Sequence, residues 1–321
     1  MQVRWPPPPD PVRFFYEATL RGNRDIEVLD REQKLKLTLV GDTRPKIGMT
    51  KPYDVAARKG RIYVTDSLGQ VVHAFDIPRR RYYQFGYRRE GALKVPHGIA
   101  VDTIGRVYVT DSKARRVVIY DPLGLYLGSV GSASDLDRPT GLAVSPSGDR
   151  IYVVDTGGVE SERHRVVVYS PDGSVLRTIG TRGKKPGEFN LPTDVEVDGE
   201  GNLYVLDAGN FRVQIIDPEG QPIRAFGSVG NGFGQFARPK GLTLDAQGNI
   251  YVSDASFANV QIFNRQGQLL LPIGNKQIED GPGHLALPAG LDIDETGRIY
   301  IVDQLFRKLE VIRPARLNAP S

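Results

Sequence analysis

The sequence has 321 residues, with 42 Lys and Arg against 38 Asp and Glu, and it contains no cysteine. The lack of cysteine excludes disulfide bonds and thiolate metal sites, and no apolar run approaches the roughly 20 residues that span a bilayer. The net charge of +4 is a small excess that a solvated surface explains without a polyanionic partner.

The chain starts with a proline-rich segment that is followed by a predicted strand. Residues 5–11 read Trp-Pro-Pro-Pro-Pro-Asp-Pro, and consecutive prolines favour an extended backbone. We interpret residues 1–12 as an N-terminal extension that acts as a tether or as a strap over the surface. Residues 12–20 are rich in aromatic and β-branched residues, which predicts a strand. Residues 23–50 are ambiguous, because their leucines suit a short helix as well as an alternating strand.

From residue 51 onward, one short phrase recurs six times. Residues 202–207 show it as Asn-Leu-Tyr-Val-Leu-Asp, and every copy has Tyr at the third position and Asp at the sixth. The copies end 44 to 52 residues apart, at Asp66, Asp111, Asp155, Asp207, Asp254 and Asp303. Self-similarity at this period indicates a repeat architecture, in which each unit is too small to bury its own apolar face.

Each copy predicts four short strands. It opens with a proline and an alternating apolar run, as in residues 96–101, and a glycine turn leads into the phrase that ends in Asp. A third strand and a fourth strand that stops at glycine complete an antiparallel meander. Six meanders arranged radially make a propeller, which leaves only short and protected sheet edges. We therefore predict an all-β fold, a six-bladed β-propeller of four-stranded antiparallel blades.

The sixth copy lacks its fourth strand, because residues 313–321 contain two prolines and no strand pattern. The unassigned strand near the N-terminus is the candidate to replace it. We therefore predict that residues 13–22 complete the last blade, so that the N-terminal strand closes the ring. The propeller domain then spans residues 13–314, and residues 315–321 form a C-terminal tail.

The repeated Asp of each copy invites a metal or catalytic role, but a structural role is favoured because a site needed once would not be written six times. Asp at such a position accepts backbone N–H groups in the turn that it begins. A basic residue follows a few positions later and is predicted to pair with that carboxylate. These residues are Arg116, Arg165, Arg212 and Arg307.

The residues after the opening prolines are predicted to surround one mouth of the central channel. Most copies continue with Gly, whereas the first and fourth have Asp54 and Asp194, on blades that face each other across a six-membered ring. Two carboxylates and the imidazole of His97 have suitable donors for Ca²⁺, Mg²⁺ or a polar ligand. The alternative is that both Asp residues simply line a wet channel. The candidate ligand-binding residues are Tyr53, Asp54, His97, Thr140, Thr193, Asp194 and Lys240, and the candidate metal ligands are Asp54, His97 and Asp194.

The combined pattern Pro-x-Gly-Ile-Ala-Val-Asp, Gly-x-Val-Tyr-Val-x-Asp and Arg-Val-x-x-Tyr/Phe-Asp-x-x-Gly resembles the NHL repeat over residues 51–314. The proline-rich start is also similar to that of bacterial exported six-bladed NHL-type propellers, many of which are lipoproteins. The resemblance implies a binding platform for proteins, RNA or other ligands, while a minority of the family are lyases. The four histidines are too dispersed for the several-histidine metal site of the amidating-lyase relatives.

Three functions follow as hypotheses. The first is a non-enzymatic scaffold that binds a protein, peptide or cell-envelope component, needs no cofactor and is monomeric. The second is a divalent-metal-dependent hydrolase or lyase with its site at the channel mouth. The third is RNA binding through a basic face, which we rank last because no nucleic-acid motif accompanies the charge. No signal peptide with an apolar centre is present, and we expect an extracytoplasmic protein whose export signal is absent from this chain.

Overall fold

The computed structural model describes residues 3–28, 31–40, 45–274 and 276–316, in which six antiparallel sheets form a ring. The first strand of every sheet contacts the first strand of the next sheet, and the sixth contacts the first. The chain is therefore a six-bladed β-propeller whose first strands surround a central channel, as the sequence predicts.

The bounds of the elements follow the repeat closely. The N-terminal segment forms β1 (Arg4–Trp5), β2 (Phe14–Leu20), a short 3₁₀ helix (Asn23–Asp25) and the helix α1 (Arg31–Val40). Blade 1 consists of β3 (Pro52–Arg58), β4 (Arg61–Asp66), β5 (Val71–Asp76) and β6 (Arg81–Phe85). After a 3₁₀ helix (Arg89–Gly91), blade 2 consists of β7 (Pro96–Val101), β8 (Val107–Asp111), β9 (Arg116–Tyr120) and β10 (Tyr126–Val130). Blade 3 consists of β11 (Pro139–Val144), β12 (Ile151–Asp155), β13 (Arg165–Tyr169) and β14 (Val175–Ile179).

The second half of the ring repeats this arrangement. Blade 4 consists of β15 (Asp194–Val197), β16 (Leu203–Asp207), β17 (Arg212–Ile216) and β18 (Pro222–Phe226), with a 3₁₀ helix (Ala208–Asn210) before β17. Blade 5 consists of β19 (Pro239–Leu244), β20 (Ile250–Asp254), β21 (Asn259–Phe263) and β22 (Leu269–Ile273). Blade 6 takes β23 (Pro288–Ile293), β24 (Ile299–Asp303) and β25 (Lys308–Pro314) from the C-terminal part of the chain.

The N-terminal strand closes the ring, which confirms the sequence prediction. Strand β2 pairs antiparallel with β25 and takes the outermost place in blade 6. The proline-rich segment is more than a strap, because β1 pairs with β2 and gives this blade a fifth strand. Trp5 of β1 is buried among apolar residues of blades 5 and 6.

The sequence allows a helix or a strand between the N-terminal strand and blade 1. The structure has the helix α1 there. The apolar side chains of α1 that the structure describes are exposed, at fractions from 39% for Leu37 to 73% for Leu39. No helix in the described part of the chain has the length and apolarity that crossing a membrane requires.

The repeated Asp residues have the structural role that the sequence predicts. All six are fully buried, and they accept backbone N–H groups of the connection that precedes their own blade. Arg165 and Arg212 pair with the carboxylates of Asp155 and Asp207, at 3.4 Å and 2.8 Å. Each Asp therefore fixes its connection to the sheet.

The predicted basic partners fail at two positions. The guanidinium of Arg116 instead donates to the carbonyl oxygens of Glu90 and Ala92. In blade 6 the register places Lys308 rather than Arg307 opposite Asp303. The Lys308 ammonium is buried against the carboxylates of Asp280 and Glu310. Lys308 lies five residues after Asp303, as Arg116 and Arg212 lie five residues after Asp111 and Asp207, so Arg307 is one position too early to be the equivalent residue.

The hydrophobic core lies between blades rather than within one of them. The cluster between blades 1 and 2, for example, combines Val72 and Phe85 of blade 1 with Val107 and Tyr120 of blade 2. Burial of both faces of each sheet stabilises the ring as one unit, because no blade removes its apolar surface from water alone.

Candidate functional site

The predicted channel mouth is a narrow space rather than an open pocket. Its cavity has a volume of about 20 Å³, which is close to the space that one water molecule needs. The sequence-predicted residues that line it are Tyr53, Asp54, Thr193, Asp194 and Lys240, joined by Ala289, Gln304 and three glycines. His97 and Thr140 do not line this cavity. The mouth therefore holds no organic ligand without rearrangement.

Asp54 links three blades at the mouth. Its two carboxylate oxygens accept the backbone N–H groups of Val55, at 2.9 Å, and of Ile99 in blade 2, at 3.0 Å. A Cβ atom on Gly290 of blade 6 would lie 1.9 Å from this carboxylate. The absence of a side chain on that glycine therefore makes the room that Asp54 occupies.

Asp194 repeats the arrangement on the opposite side of the ring. Its oxygens accept the N–H groups of Val195, at 3.0 Å, and of Leu242 in blade 5, at 2.8 Å. A Cβ atom on Gly141 of blade 3 would lie 2.4 Å from one of them. The two departures from the repeat glycine are thus carboxylates that hydrogen-bond to the following blade.

Burial raises the pKa of Asp54 to about 7, against the opposing effect of the Ile99 and Val55 N–H groups. Burial also raises the pKa of Asp194 well above its usual range, and the negative charge of Asp54 adds to that increase. In the part of the chain that the structure describes, no group of three or more His, Asp or Glu side chains is arranged to hold a metal ion. The geometry therefore adds no support to a cation at Asp54, His97 and Asp194, and that site stays a prediction.

His97 contacts Tyr53 at the rim, with the ring centroids 4.3 Å apart. Its Nδ1 atom is buried and has no hydrogen-bond partner. Burial lowers the pKa of His97 to about 4, and the positive charge of Arg138 lowers it further. The imidazole is therefore neutral at pH 7.

The remaining predicted residues have separate surroundings. Thr140 is bonded through Oγ1 to the hydroxyl of Thr156, at 2.5 Å, and donates to the carbonyl oxygen of Thr193, at 3.1 Å. The Thr193 hydroxyl is buried without a partner. Burial lowers the pKa of Lys240, and the neighbouring charge of Arg238 acts in the same direction. Of these three residues, Thr193 and Lys240 line the mouth cavity, whereas Thr140 does not.

Below the mouth, the channel widens into an acidic cavity of about 460 Å³ that the sequence analysis did not identify. Burial raises the pKa of Glu196 to about 8 and that of Asp292 to about 7. Asp292 accepts N–H groups from Ala57 and Ile293, at 2.7 Å each. An alignment of the six copies would have revealed both acids, because the same position is Ala in the first three blades and Thr in the fifth.

A groove of about 1300 Å³ lies at the outer rim, between blades 1 and 2. We call it the blade 1–2 groove. One wall is continuous chain from Arg79 to Gly91, which includes strand β6, and the other runs from Tyr120 to Tyr126. The arginines at 79–81 and 88–89 are visible in the sequence, but the sequence analysis attributes the excess positive charge to a solvated surface. It missed the groove because residues about 40 positions apart form its two walls.

The base of the groove is rigid. The hydroxyls of Tyr63 and Tyr83 donate to the carbonyl oxygen of Pro122, at 2.8 Å and 2.7 Å. The Tyr120 hydroxyl donates to the carbonyl oxygen of Gly91 on the facing wall. Three hydrogen bonds between the blades therefore hold the two walls at a fixed distance.

The rim of the groove combines arginines with exposed apolar side chains. Arg61 and Arg79 share the carboxylate of Asp76, at 3.1 Å and 3.0 Å. Across the described ranges, four further arginines of the groove form no ion pair, and these are Arg80, Arg81, Arg88 and Arg89. The exposed apolar residues here are Tyr87, Leu123, Leu125 and Tyr126. Arg and Tyr are the residue types that protein interfaces favour.

Comparison with known proteins places the repeat in a family. A model of the NHL repeat matches residues 93–120, 136–169 and 189–216. Human NHL repeat-containing protein 3 is 31% identical over 134 residues, which are 37% of this chain and 38% of that protein. Mouse peptidyl-glycine alpha-amidating monooxygenase is 34% identical over 111 residues, which are 30% of this chain and 11% of the enzyme. The match thus spans less than half the length of either relative.

Solved structures share the fold at low sequence identity. A virginiamycin B lyase from Staphylococcus aureus has a TM-score of 0.60 at 14% identity and covers 82% of this chain and 95% of its own. A gluconolactonase from Xanthomonas campestris has a TM-score of 0.59 at 18% identity and covers 97% and 100%. At these identities the likeness concerns the fold alone. Three of the six repeats match the NHL model, so this chain is a six-bladed β-propeller that contains NHL repeats.

Proposed function

We propose that this protein is a non-enzymatic binding scaffold that holds a protein or peptide partner in the blade 1–2 groove. The observation that carries the proposal is the composition of that groove: four unpaired arginines and four exposed apolar residues over a rigid base. Exposed patches of this kind are typical of interaction sites, and a fixed base lowers the entropy that binding costs.

The channel supports a structural role instead. The oxygens of Asp54 and Asp194 already accept backbone N–H groups of two blades each. A Ca²⁺ or Mg²⁺ ion in a protein takes six or more ligands, and the described residues contain no group of three or more acidic or histidine side chains that could hold one. The mouth is also too small for a substrate. We therefore do not extend to this chain the reactions that the names of its lyase and gluconolactonase neighbours describe.

Site-specific photo-crosslinking tests the proposal. A benzoylphenylalanine at Leu125 in the groove and one at Leu176 on blade 3 provide a matched pair, because both side chains are more than half exposed. In the source organism we expect a discrete adduct from Leu125 and none from Leu176. The captured protein, once purified, is expected to bind the wild-type chain and to lose about tenfold or more in affinity for R88E/R89E.

Equal adducts at both positions, or a captured protein that binds R88E/R89E as well as wild type, would contradict the groove as the binding site. The variant K184E/K185E is the charge-matched control, because its two lysines lie in the exposed connection after blade 3. It is expected to bind like wild type.

A further inference from the structure

One wall of the blade 1–2 groove contains an unpaired strand edge. Strand β6 pairs with β5 along one side only, and no strand of the described residues pairs with its other side. The 3₁₀ helix Asn23–Asp25 contacts β6 without pairing with it as a strand. A free edge exposes backbone N–H and C=O groups that pair readily with another extended chain. At five residues the edge is about 17 Å long, enough for a short peptide.

Blade 6 shows that the outer edge of a blade in this protein accepts an additional strand. Strand β1 pairs antiparallel with the outermost strand β2, with Arg4 opposite Phe15 and Trp5 opposite Phe14. A Cβ atom on Gly283 would lie 2.9 Å from the Trp5 ring, so the indole packs directly on that backbone. An extended segment with an apolar anchor thus occupies the rim of the ring.

The charges around β6 indicate what kind of segment fits there. Three arginines, at positions 79–81, lie at the start of the strand, and two more, at 88–89, follow its end. Glu27, Asp76, Glu90 and Asp121 also line the groove, and Asp76 is paired with Arg61 and Arg79, so the lining keeps an excess of positive charge. Leu123 and Leu125 expose 61% and 66% of their surface on the opposite wall. A complementary peptide therefore carries acidic residues at both ends and apolar residues in the middle.

We propose that an extended acidic peptide segment with an apolar centre binds the blade 1–2 groove by adding a fifth strand to the free edge of β6. The inference rests on the proposed scaffold function and names the partner and its mode of binding. The peptide backbone pairs with β6, its apolar side chains contact Leu123 and Leu125, and its carboxylates pair with the unpaired arginines. The bound blade 1 then resembles blade 6 in strand number.

A peptide fits this groove better than single-stranded RNA. Base stacking requires free aromatic faces, whereas the rings of Tyr83 and Tyr120 pack against Phe85 at the base of the groove. The guanidinium of Arg88 already lies over the exposed Tyr87 ring, at 5.1 Å from its centroid. A strand edge also offers donors and acceptors in the spacing of a peptide backbone rather than that of a nucleic acid.

The test uses a capped, fluorescently labelled peptide with the sequence Glu-Glu-Val-Leu-Val-Glu-Glu, which reads the same in both directions. Anisotropy is expected to show saturable binding to the full chain that weakens with salt. The same peptide N-methylated on its three central residues keeps every charge and side chain but loses the donors for strand pairing. We expect it to bind about tenfold more weakly or worse.

Protein variants locate the site. R88E/R89E is expected to lose about tenfold or more in peptide affinity, whereas K184E/K185E binds like wild type. Circular dichroism and the thermal midpoint verify that both variants are folded. Undiminished binding of the N-methylated peptide would overturn strand addition, and undiminished binding to R88E/R89E would overturn the site. Tighter binding of a uridine oligonucleotide in the same groove would assign it to nucleic acid instead.

The outcome is separable from that of the scaffold proposal. A crosslinked protein partner at Leu125, together with no binding of the acidic peptide, would leave the scaffold function standing and overturn the peptide chemistry. Failure of both experiments would overturn both.

Discussion

The carboxylates of the channel mouth and the arginines of the blade 1–2 groove differ in how many partners they have within the protein. At the mouth, the carboxylates of Asp54 and Asp194 each accept two backbone N–H groups in a space of about 20 Å³. In the groove, four arginines lack ion-pair partners and a strand edge lacks a neighbour, around a space of about 1300 Å³. Saturated groups stabilise a fold, whereas unsatisfied groups at a rigid surface are available to a partner.

The comparison also teaches that a departure from a repeat is not by itself a functional site. Asp54 and Asp194 are conspicuous because glycine occupies their place in other blades, but their hydrogen bonds link neighbouring blades. The groove residues form no recognisable motif in the sequence. They form a common surface only because two neighbouring blades bring them together. The following predictions test this contrast, starting with the largest expected effect.

Gly290→Ala is the most damaging change that we expect at the mouth. Its Cβ would lie 1.9 Å from the Asp54 carboxylate and 2.5 Å from the Asp54 Cα, so backbone as well as side chain must move. We expect a loss of about 3 kcal/mol in unfolding free energy, measured by urea denaturation. The control is Gly128→Ala, where a Cβ meets nothing within 4 Å, and we expect less than about 0.5 kcal/mol there. Equal losses would show that the mouth is not closely packed.

Asp194→Ala is expected to lower the unfolding free energy by about 2 kcal/mol, because the N–H groups of Val195 and Leu242 lose their acceptor. Chemical denaturation measures the loss. The exposed Asp10 provides the matched control, and Asp10→Ala should leave stability within about 0.5 kcal/mol of wild type. A stable Asp194→Ala protein would contradict the linking role.

The acids of the channel predict a loss of stability with rising pH. Burial raises the pKa of Asp292 to about 7 in the folded protein, so folding favours its protonated form. That contribution is fully present below the unfolded pKa and disappears as the pH rises through about 7. We expect the unfolding free energy to fall by about 1–2 kcal/mol between about pH 5 and pH 8. Asp292→Asn should flatten this slope, and a slope unchanged in the variant would assign it to other groups.

Charge reversal in the groove should separate binding from stability. R88E/R89E changes exposed side chains that form no ion pair in the described structure, so we expect its unfolding free energy to stay within about 0.5 kcal/mol of wild type. Its affinity for the partner should nevertheless fall. A large loss of stability would mean that these arginines support the fold, as the channel acids do.

The smallest expected effect is that of divalent cations. The oxygens of Asp54 and Asp194 already accept backbone N–H groups. We therefore expect the thermal midpoint to be the same in Ca²⁺ or Mg²⁺ as in EDTA. Differential scanning calorimetry measures this. If either cation raised the thermal midpoint of the wild type but not that of Asp54→Asn, the result would support the cation site that the sequence suggests.

The sequence predicts the fold well because the same residue pattern recurs in each blade. Six phrases ending in Asp give the blade count, and the missing strand of the last copy leads to residues 13–22 as its replacement, within which Phe14–Leu20 form the strand. The helix after residue 30 and the fifth strand β1 were not settled, because short segments with few apolar contacts have weak patterns. The groove could not be predicted at all, because periodicity within one blade does not tell how far two neighbouring sheets separate at the rim.

The way in which the ring is closed determines when folding can finish. Strand β2 leaves the ribosome well before its partner β25. During synthesis β2 lacks its partner β25 until some 290 further residues have emerged. The nascent chain therefore carries an aromatic strand that is free to pair wrongly until the sixth blade arrives, and a chaperone that shields residues 14–20 would raise the yield of the folded protein.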